Sequence, residues 1–270
     1  MKANLFDLTG KQVGEVELPA QFNEFYRVDL IRRAFHADFT ARLQPKGSFP
    51  LAGLQTTAAY YGRRHAWRQT INTGRSRLPR EKIPGGHSGR VLRVPHAVKG
   101  RRAHPPKAAK NLVERINLKE KNKAICSALS ASANAVLVKA RGHLVDGKSL
   151  VVVDNSFEAV KKSSQAKGIL EKLGLTNDLL RAKNARKLRS GRARLRKGGY
   201  RTPKSVLIVY GKDEGVWRAA RNLPGVDVVS ASSITIEKLA PGGVAGRPLV
   251  ITQNALKELK IYPILLEKNA

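Results

Sequence analysis

Leu150-Val151-Val152-Val153, closed by Asp154, and Val206-Leu207-Ile208-Val209-Tyr210 are apolar at consecutive positions, with no polar alternation. A strand of that kind is buried on both faces, which is the habit of the inner strands of a parallel sheet. A helical period follows each of them, over 165–173 after the first and 216–222 after the second. Further along, 226–229 and 249–251 repeat the strand pattern, with helix-like 234–239 and 254–260 behind them. Strand and helix alternating in this way give an α/β fold, with a mostly parallel sheet and helices on both faces. Working back toward the N-terminus, Asn117-Leu118-Lys119-Glu120 reads as a capping box. The stripe Ile125, Leu129, Ala133, Val136 then continues to a stop at Gly142. Before it, Val28, Ile31, Ala34, Phe35, Phe39 and Leu43 predict a helix over 26–44. Residues 4–8 and 12–18, joined by Thr9-Gly10-Lys11, read as a hairpin.

An open α/β sheet binds ligands beyond the carboxyl ends of its strands, so a nucleotide site would lie there. Neither Asp154-Asn155-Ser156-Phe157-Glu158 nor Gly211-Lys212-Asp213-Glu214-Gly215 is a phosphate-binding glycine loop. The run from Pro241 to Gly246 is glycine-rich but precedes a strand, and reads as a loop turn. Asp154 reads as a cap bonding nearby amides. His65, His87, His96 and His104 are separated by 22, 9 and 8 residues, which fits no compact metal site. Cys126 is the single cysteine, so no intramolecular disulfide is expected. No nucleophile elbow singles out a Ser, His and Asp. No apolar run reaches the ~18 residues of a membrane span, no secretory leader is legible, and a cytosolic location is expected.

Charge then separates the chain into parts. Lys and Arg number 51 against 20 Asp and Glu, a formal net charge of +31, and a polyanionic partner follows from it. Residues 45–107 hold 14 basic side chains, 10 of them arginine, and Glu81 is the only acid. The same stretch has eight glycines, seven prolines and no sustained apolar period, so an extended arm without a core is expected, ordered by its partner. The globular part is then 1–44 with 108–270. Within it, 181–204 carries 11 basic residues and no acid, and is expected to follow RNA rather than pack as a helix. In the arm, Tyr60, Tyr61 and Trp67 interleave with Arg63, Arg64, His65 and Arg68, placing faces for base stacking beside phosphate-pairing guanidiniums. Arg186, Lys187, Arg192, Arg194, Arg196, Lys197 and Arg201 are the corresponding contacts of the second basic stretch, with Lys107 at the end of the arm.

Val94-Pro95-His96-Ala97-Val98-Lys99-Gly100-Arg101-Arg102-Ala103-His104-Pro105-Pro106-Lys107 closely resembles the returning limb of the long loop in the archaeal and eukaryotic form of large-subunit ribosomal protein four. Thr73-Gly74-Arg75-Ser76-Arg77-Leu78-Pro79-Arg80 is similar to that family's loop tip. Leu51-Ala52-Gly53-Leu54, Ala219-Ala220-Arg221-Asn222-Leu223 and Leu239-Ala240-Pro241-Gly242-Gly243 match other parts, so the resemblance runs end to end. It implies a Rossmann-like domain with a loop threaded into large-subunit rRNA. The implied role is a structural, non-catalytic constituent of the cytoplasmic large subunit that binds rRNA early and assists assembly. Carried onto this chain, Arg90, Arg93, Lys99, Arg101 and Arg102 hold rRNA phosphates. Gly74, Arg75, Ser76, Arg77, Leu78, Pro79 and Arg80 face the polypeptide exit tunnel. Implied partners are the rRNA, neighbouring large-subunit proteins and the nascent polypeptide at the tip. No membrane contact and no cofactor are implied, Mg²⁺ entering only with the rRNA. The competing reading from residues alone is an RNA-processing or nucleotide-using enzyme, which would need convergent carboxylates or a phosphate loop.

Overall fold

Strands β1 (Lys2–Phe6) and β2 (Gln12–Glu17) open the chain as an antiparallel hairpin, and helix α1 (Val28–Thr40) follows. Two short strands, β3 (Arg80–Lys82) and β4 (Ser88–Val91), lie before helices α2 (Leu118–Ala133) and α3 (Ala135–Ala140). Next come β5 (Leu150–Val153), α4 (Ser163–Lys172), α5 (Thr176–Asn184), β6 (Lys187–Leu188), α6 (Arg192–Arg196) and β7 (Tyr200–Arg201). The chain continues with β8 (Leu207–Tyr210), α7 (Val216–Ala220), β9 (Asp227–Ser230), α8 (Ile236–Leu239), β10 (Leu249–Thr252) and α9 (Gln253–Leu259). This computed structural model describes residues 1–65, 69–85, 88–145, 149–196 and 198–259. The chain divides into two compact units, Met1–Arg42 with Val113–Ala270, and Leu43–Leu112.

The larger unit is built on one six-stranded sheet in the order β2-β1-β5-β10-β8-β9. Every neighbouring pair is parallel except the β1–β2 hairpin. Side chains of a strand alternate between the two faces, and the continuous apolar runs use both. Val152, Leu207, Val209, Leu249 and Ile251 pack with residues of α1, α2, α8 and α9. Val151, Val153, Ile208 and Val250 pack on the opposite face with residues of α4, α5 and α7. Each such side chain is fully or almost fully buried, which favours folding by roughly 1.5–3 kcal/mol per residue before entropy is charged. The hairpin enters this sheet through β1, where Leu5 pairs with Val152 and Phe6 with Val153. Sequence alone assigned it no place there.

Helix ends depart from expectation for local reasons. α1 stops at Thr40, leaving Phe39 exposed and stacked on Phe35 at 6.1 Å, while Ile31 and Ala34 carry the buried stripe. Leu43 is exposed too. Asn117 is the N-cap residue of α2, but its side chain makes no capping bond. The box does not close, because the Glu120 carboxylate is drawn to Arg33 of α1 at 3.4 Å. The single expected helix through Val136 is two: Asn134 leaves helical geometry, and its side chain accepts the Val136 amide at 2.9 Å to start α3. Val136 is therefore exposed rather than part of the stripe.

Candidate nucleic-acid interface

Backbone hydrogen bonds, rather than an apolar interior, hold the Leu43–Leu112 unit in shape. Ser48 donates to Pro106 at 3.1 Å, Ala59 and Arg80 exchange bonds at 3.1 and 3.2 Å, Thr70 donates to Tyr61 at 2.9 Å, and Leu92 to Pro79 at 3.1 Å. β3 and β4 pair antiparallel, a regular element that the Gly- and Pro-rich sequence did not announce. The two limbs touch backbone to backbone at Gly53. With φ of 76° it lies in the left-handed region, and a Cβ there would stand 2.8 Å from the Arg101 Cα, so only glycine fits. Among the described residues of this unit, Ala58 is the one buried apolar side chain, and Thr70 is buried as well.

Such a frame turns its cations outward. Arg63, Arg64, Arg90, Lys99, Arg102 and Lys107 are exposed, and Arg101 is half-buried. Arg93 reaches back to the Ala58 carbonyl at 3.0 Å. Tyr60 is exposed, whereas Tyr61 is half-buried with the Lys82 ammonium 5.4 Å from its ring centre. Trp67, Arg68 and His87 lie outside the described residues. His65, His96 and His104 are exposed, and among the described residues no cluster able to hold a metal ion is found. At the expected tip, Gly74, Arg75, Ser76 and Arg77 are exposed, but Leu78, Pro79 and Arg80 are half-buried. Arg80 belongs to β3 and turns back to donate to the Ser76 hydroxyl at 2.9 Å. At the stem, Lys46, Arg102, His104, Lys107 and Lys110 line a cavity of about 750 Å³. Nothing in the local sequence of Lys46 and Lys110 marks them for this place.

The second basic stretch is more structured than its composition suggests. Its start is the last turn of α5, and β6 and β7 pair as a small antiparallel hairpin with α6 at the tip. Arg192, Arg194 and Arg196 of α6 are exposed, as are Arg186, Lys187 and Arg201; Lys197 lies outside the described residues. The Arg186 guanidinium stands 4.0 Å from the Tyr200 ring centre. Arg181, by contrast, faces inward: its Nε donates to Asp178 at 2.8 Å and its NH2 group to the Lys204 carbonyl at 2.8 Å. Apolar neighbours on α5, notably Leu179 and Ala182, supply the packing that the basic composition masked. Lys183, Arg186, Lys204 and Arg221 border a cleft of about 510 Å³ beside Pro224 and Gly225.

A buried ionic network fixes the base of this hairpin to the sheet. Asp178 accepts from Ser205 Oγ at 2.5 Å and from the Leu144 amide at 3.1 Å, and meets His143 Nδ1 at 3.2 Å. Burial alone would raise its carboxyl, yet the bonds from His143, Arg181 and Ser205 hold it well below the usual carboxylate range. Burial pushes His143 below its ordinary value, against the pull of Asp178. Arg247 is 1% exposed and donates to the carbonyls of Ser205, Lys238, Val206 and Gly225 at 2.6–3.1 Å. It also pairs with Asp227 at 2.8 Å, as do Lys204 and Lys238 at 2.7 and 3.1 Å.

At the carboxyl ends of the strands, the chain places its own anion. Glu158, 1% exposed, accepts the backbone amides of Gly211 and Lys212 at 2.8 and 3.3 Å. Thr252 Oγ1 and Asn254 Nδ2 donate to it at 2.5 and 3.2 Å. Donors that could meet a ligand phosphate are thus met by a protein carboxylate. Asp154 is the cap it was read as, accepting from the Ser156 hydroxyl at 2.7 Å.

Comparison with known proteins gives one answer along nearly the whole chain. The model of the ribosomal protein L4/L1 family matches residues 16–261. Large ribosomal subunit protein uL4 of Methanocaldococcus jannaschii is 50% identical over 261 residues, covering 96% of this chain and 98% of its own. The uL4 proteins of Methanococcus vannielii and Methanothrix thermoacetophila are 44% and 45% identical over 262 and 260 residues, each with 96% of this chain and 99% of the relative covered.

Proposed function

We propose a role from one premise: the chain belongs to the ribosomal protein L4/L1 family. It is accordingly a structural, non-enzymatic constituent of the large ribosomal subunit, associated with large-subunit rRNA and with other ribosomal proteins. Beyond that, the 45–107 arm enters the folded rRNA and pins helices from different parts of it together, and the globular unit is the family's Rossmann-like body. The observation that carries this reading is the arm itself: 14 basic residues to one acid on a frame with one buried apolar side chain among its described residues. Arginine, with its planar fork, suits phosphate pairing and base stacking.

The exposed stretch Gly74 to Arg77 forms the tunnel-facing tip, with Arg75 and Arg77 presenting charge to a passing nascent polypeptide. Arg80, turned back to Ser76, braces the tip while keeping its positive charge. Arg186, Lys187, Arg192, Arg194, Arg196 and Arg201 give the globular unit its own hold on rRNA. No cofactor of the protein's own is invoked, and Mg²⁺ enters as part of the rRNA. Displacing counterions from roughly 6 to 10 phosphates makes the logarithm of affinity fall with the logarithm of salt at a slope of about −0.7 to −0.9 per phosphate. Titration of the purified protein against large-subunit rRNA at several salt concentrations tests this. A steep slope is expected; a slope near zero would remove the phosphate-binding role.

A further inference from the structure

One edge of the sheet carries charge of the opposite sign to the rest of the chain. The hairpin, residues 1–17, holds three acids, Asp7, Glu15 and Glu17, and two bases, Lys2 and Lys11, a net −1 in a chain of net +31. β2 ends the sheet on this side, as β9 does on the other, and its only strand neighbour among the described residues is β1. Its outer row of backbone N–H and C=O groups is therefore open to another strand. Along β2, Val16 packs toward the core while Glu15 and Glu17 are exposed on the other face, two residues apart. Lys2 approaches Glu15 at 3.7 Å, with both side chains more than half exposed, an arrangement that holds the carboxylate only weakly.

These charges select the partner. RNA phosphates are repelled by paired carboxylates. A second copy adding its own β2 antiparallel would bring Glu15 and Glu17 against the same residues, and like charges placed opposite one another are unfavourable. An extended segment with lysine at alternate positions satisfies both the open ladder and the charge.

We propose that β2 is a docking edge for a lysine-rich extended segment of a neighbouring large-subunit protein, which adds as a further strand along Gln12–Glu17 and sets its lysines against Glu15 and Glu17. This deepens the large-subunit reading and rests on it. Intact large subunits containing the chain are treated with a water-soluble carbodiimide, which joins carboxylates to amines without a spacer, and the linked peptides are identified by mass spectrometry. Links from Glu15 or Glu17 to lysines of a second protein are expected. In parallel, the amides of residues 12–17 should exchange with solvent at least about tenfold more slowly in the subunit than in the free protein, with the difference reduced in the double variant E15K/E17K. Links confined to this chain's own lysines, no links, or equal exchange in the two states would overturn the docking edge and leave rRNA binding standing. A chain that does not sediment with large subunits at all would overturn the reading beneath it.

Discussion

Asp178, Glu158 and Arg247 organise the larger unit, and none of them is conspicuous in the sequence. Their partners are distant along the chain: Ser205 lies 27 residues from Asp178, and Thr252 lies 94 from Glu158. A periodicity reading sees an acid in an amphipathic segment and assigns it to solvent; only folding shows the donors converging on it. Removing one partner of a buried ion pair strands the other, at a cost of about 3–5 kcal/mol, so Asp178→Ala should lower the unfolding free energy obtained from urea denaturation by that amount. Retention of wild-type stability in that variant would contradict the network. The same residues set a pH dependence. The folded pKa of His143 is lowered, so the unfolded chain binds the proton more readily, and stability falls as pH drops below about 6.5. Those of Asp178 and Asp227 are also lowered; their contribution is present above the ordinary carboxylate pKa of about 3.9 and is lost as pH falls beneath it. Thermal midpoints should therefore decline in two stages on acidification, and His143→Gln should remove the first. A flat profile between pH 7 and 5 in the parent protein would show that His143 is not a buried neutral group.

Elements were legible where the chain is buried on both sides and obscure where it is not. β5, β8 and β10 begin within a residue of where their apolar runs placed them, because continuous Val, Leu and Ile leave few alternatives. β3 and β4 hide in arginine, glycine and proline, and their order comes from backbone pairing that has no side-chain signature. The break at Asn134 was equally hidden, since the apolar spacing runs across it. Its capping bond is worth about 0.5–2 kcal/mol, so Asn134→Ala should cost that much in chemical denaturation; no loss would mean that packing alone starts α3. α6 contributes no buried residue. The triple variant R192Q/R194Q/R196Q should thus melt at the parental temperature while the salt slope of rRNA binding flattens by about two to three units. A slope unchanged from the parent would place α6 away from phosphate.

At the scale of the molecule, composition alone separated a cationic arm from a mixed-charge body, and chemical logic alone excluded a phosphate loop. That the β1–β2 hairpin ends the sheet at one side, and that the base of the second basic stretch is pinned by Arg247 and Asp227, required the fold. The apolar core belongs to one part, since nearly all buried apolar side chains among the described residues lie outside Leu43–Leu112. Deleting 47–103 should therefore leave a folded body with a cooperative thermal transition by circular dichroism, whereas its unfolding would mean that the arm supports the core. The most direct measurement is sedimentation of tagged parental and arm-deleted chains through a sucrose gradient of cell extract. The account predicts that the parental chain travels with large subunits while the folded, arm-deleted chain stays largely near the top. Equal recovery of both in the large-subunit fractions would contradict it, as would a parental chain that never leaves the top.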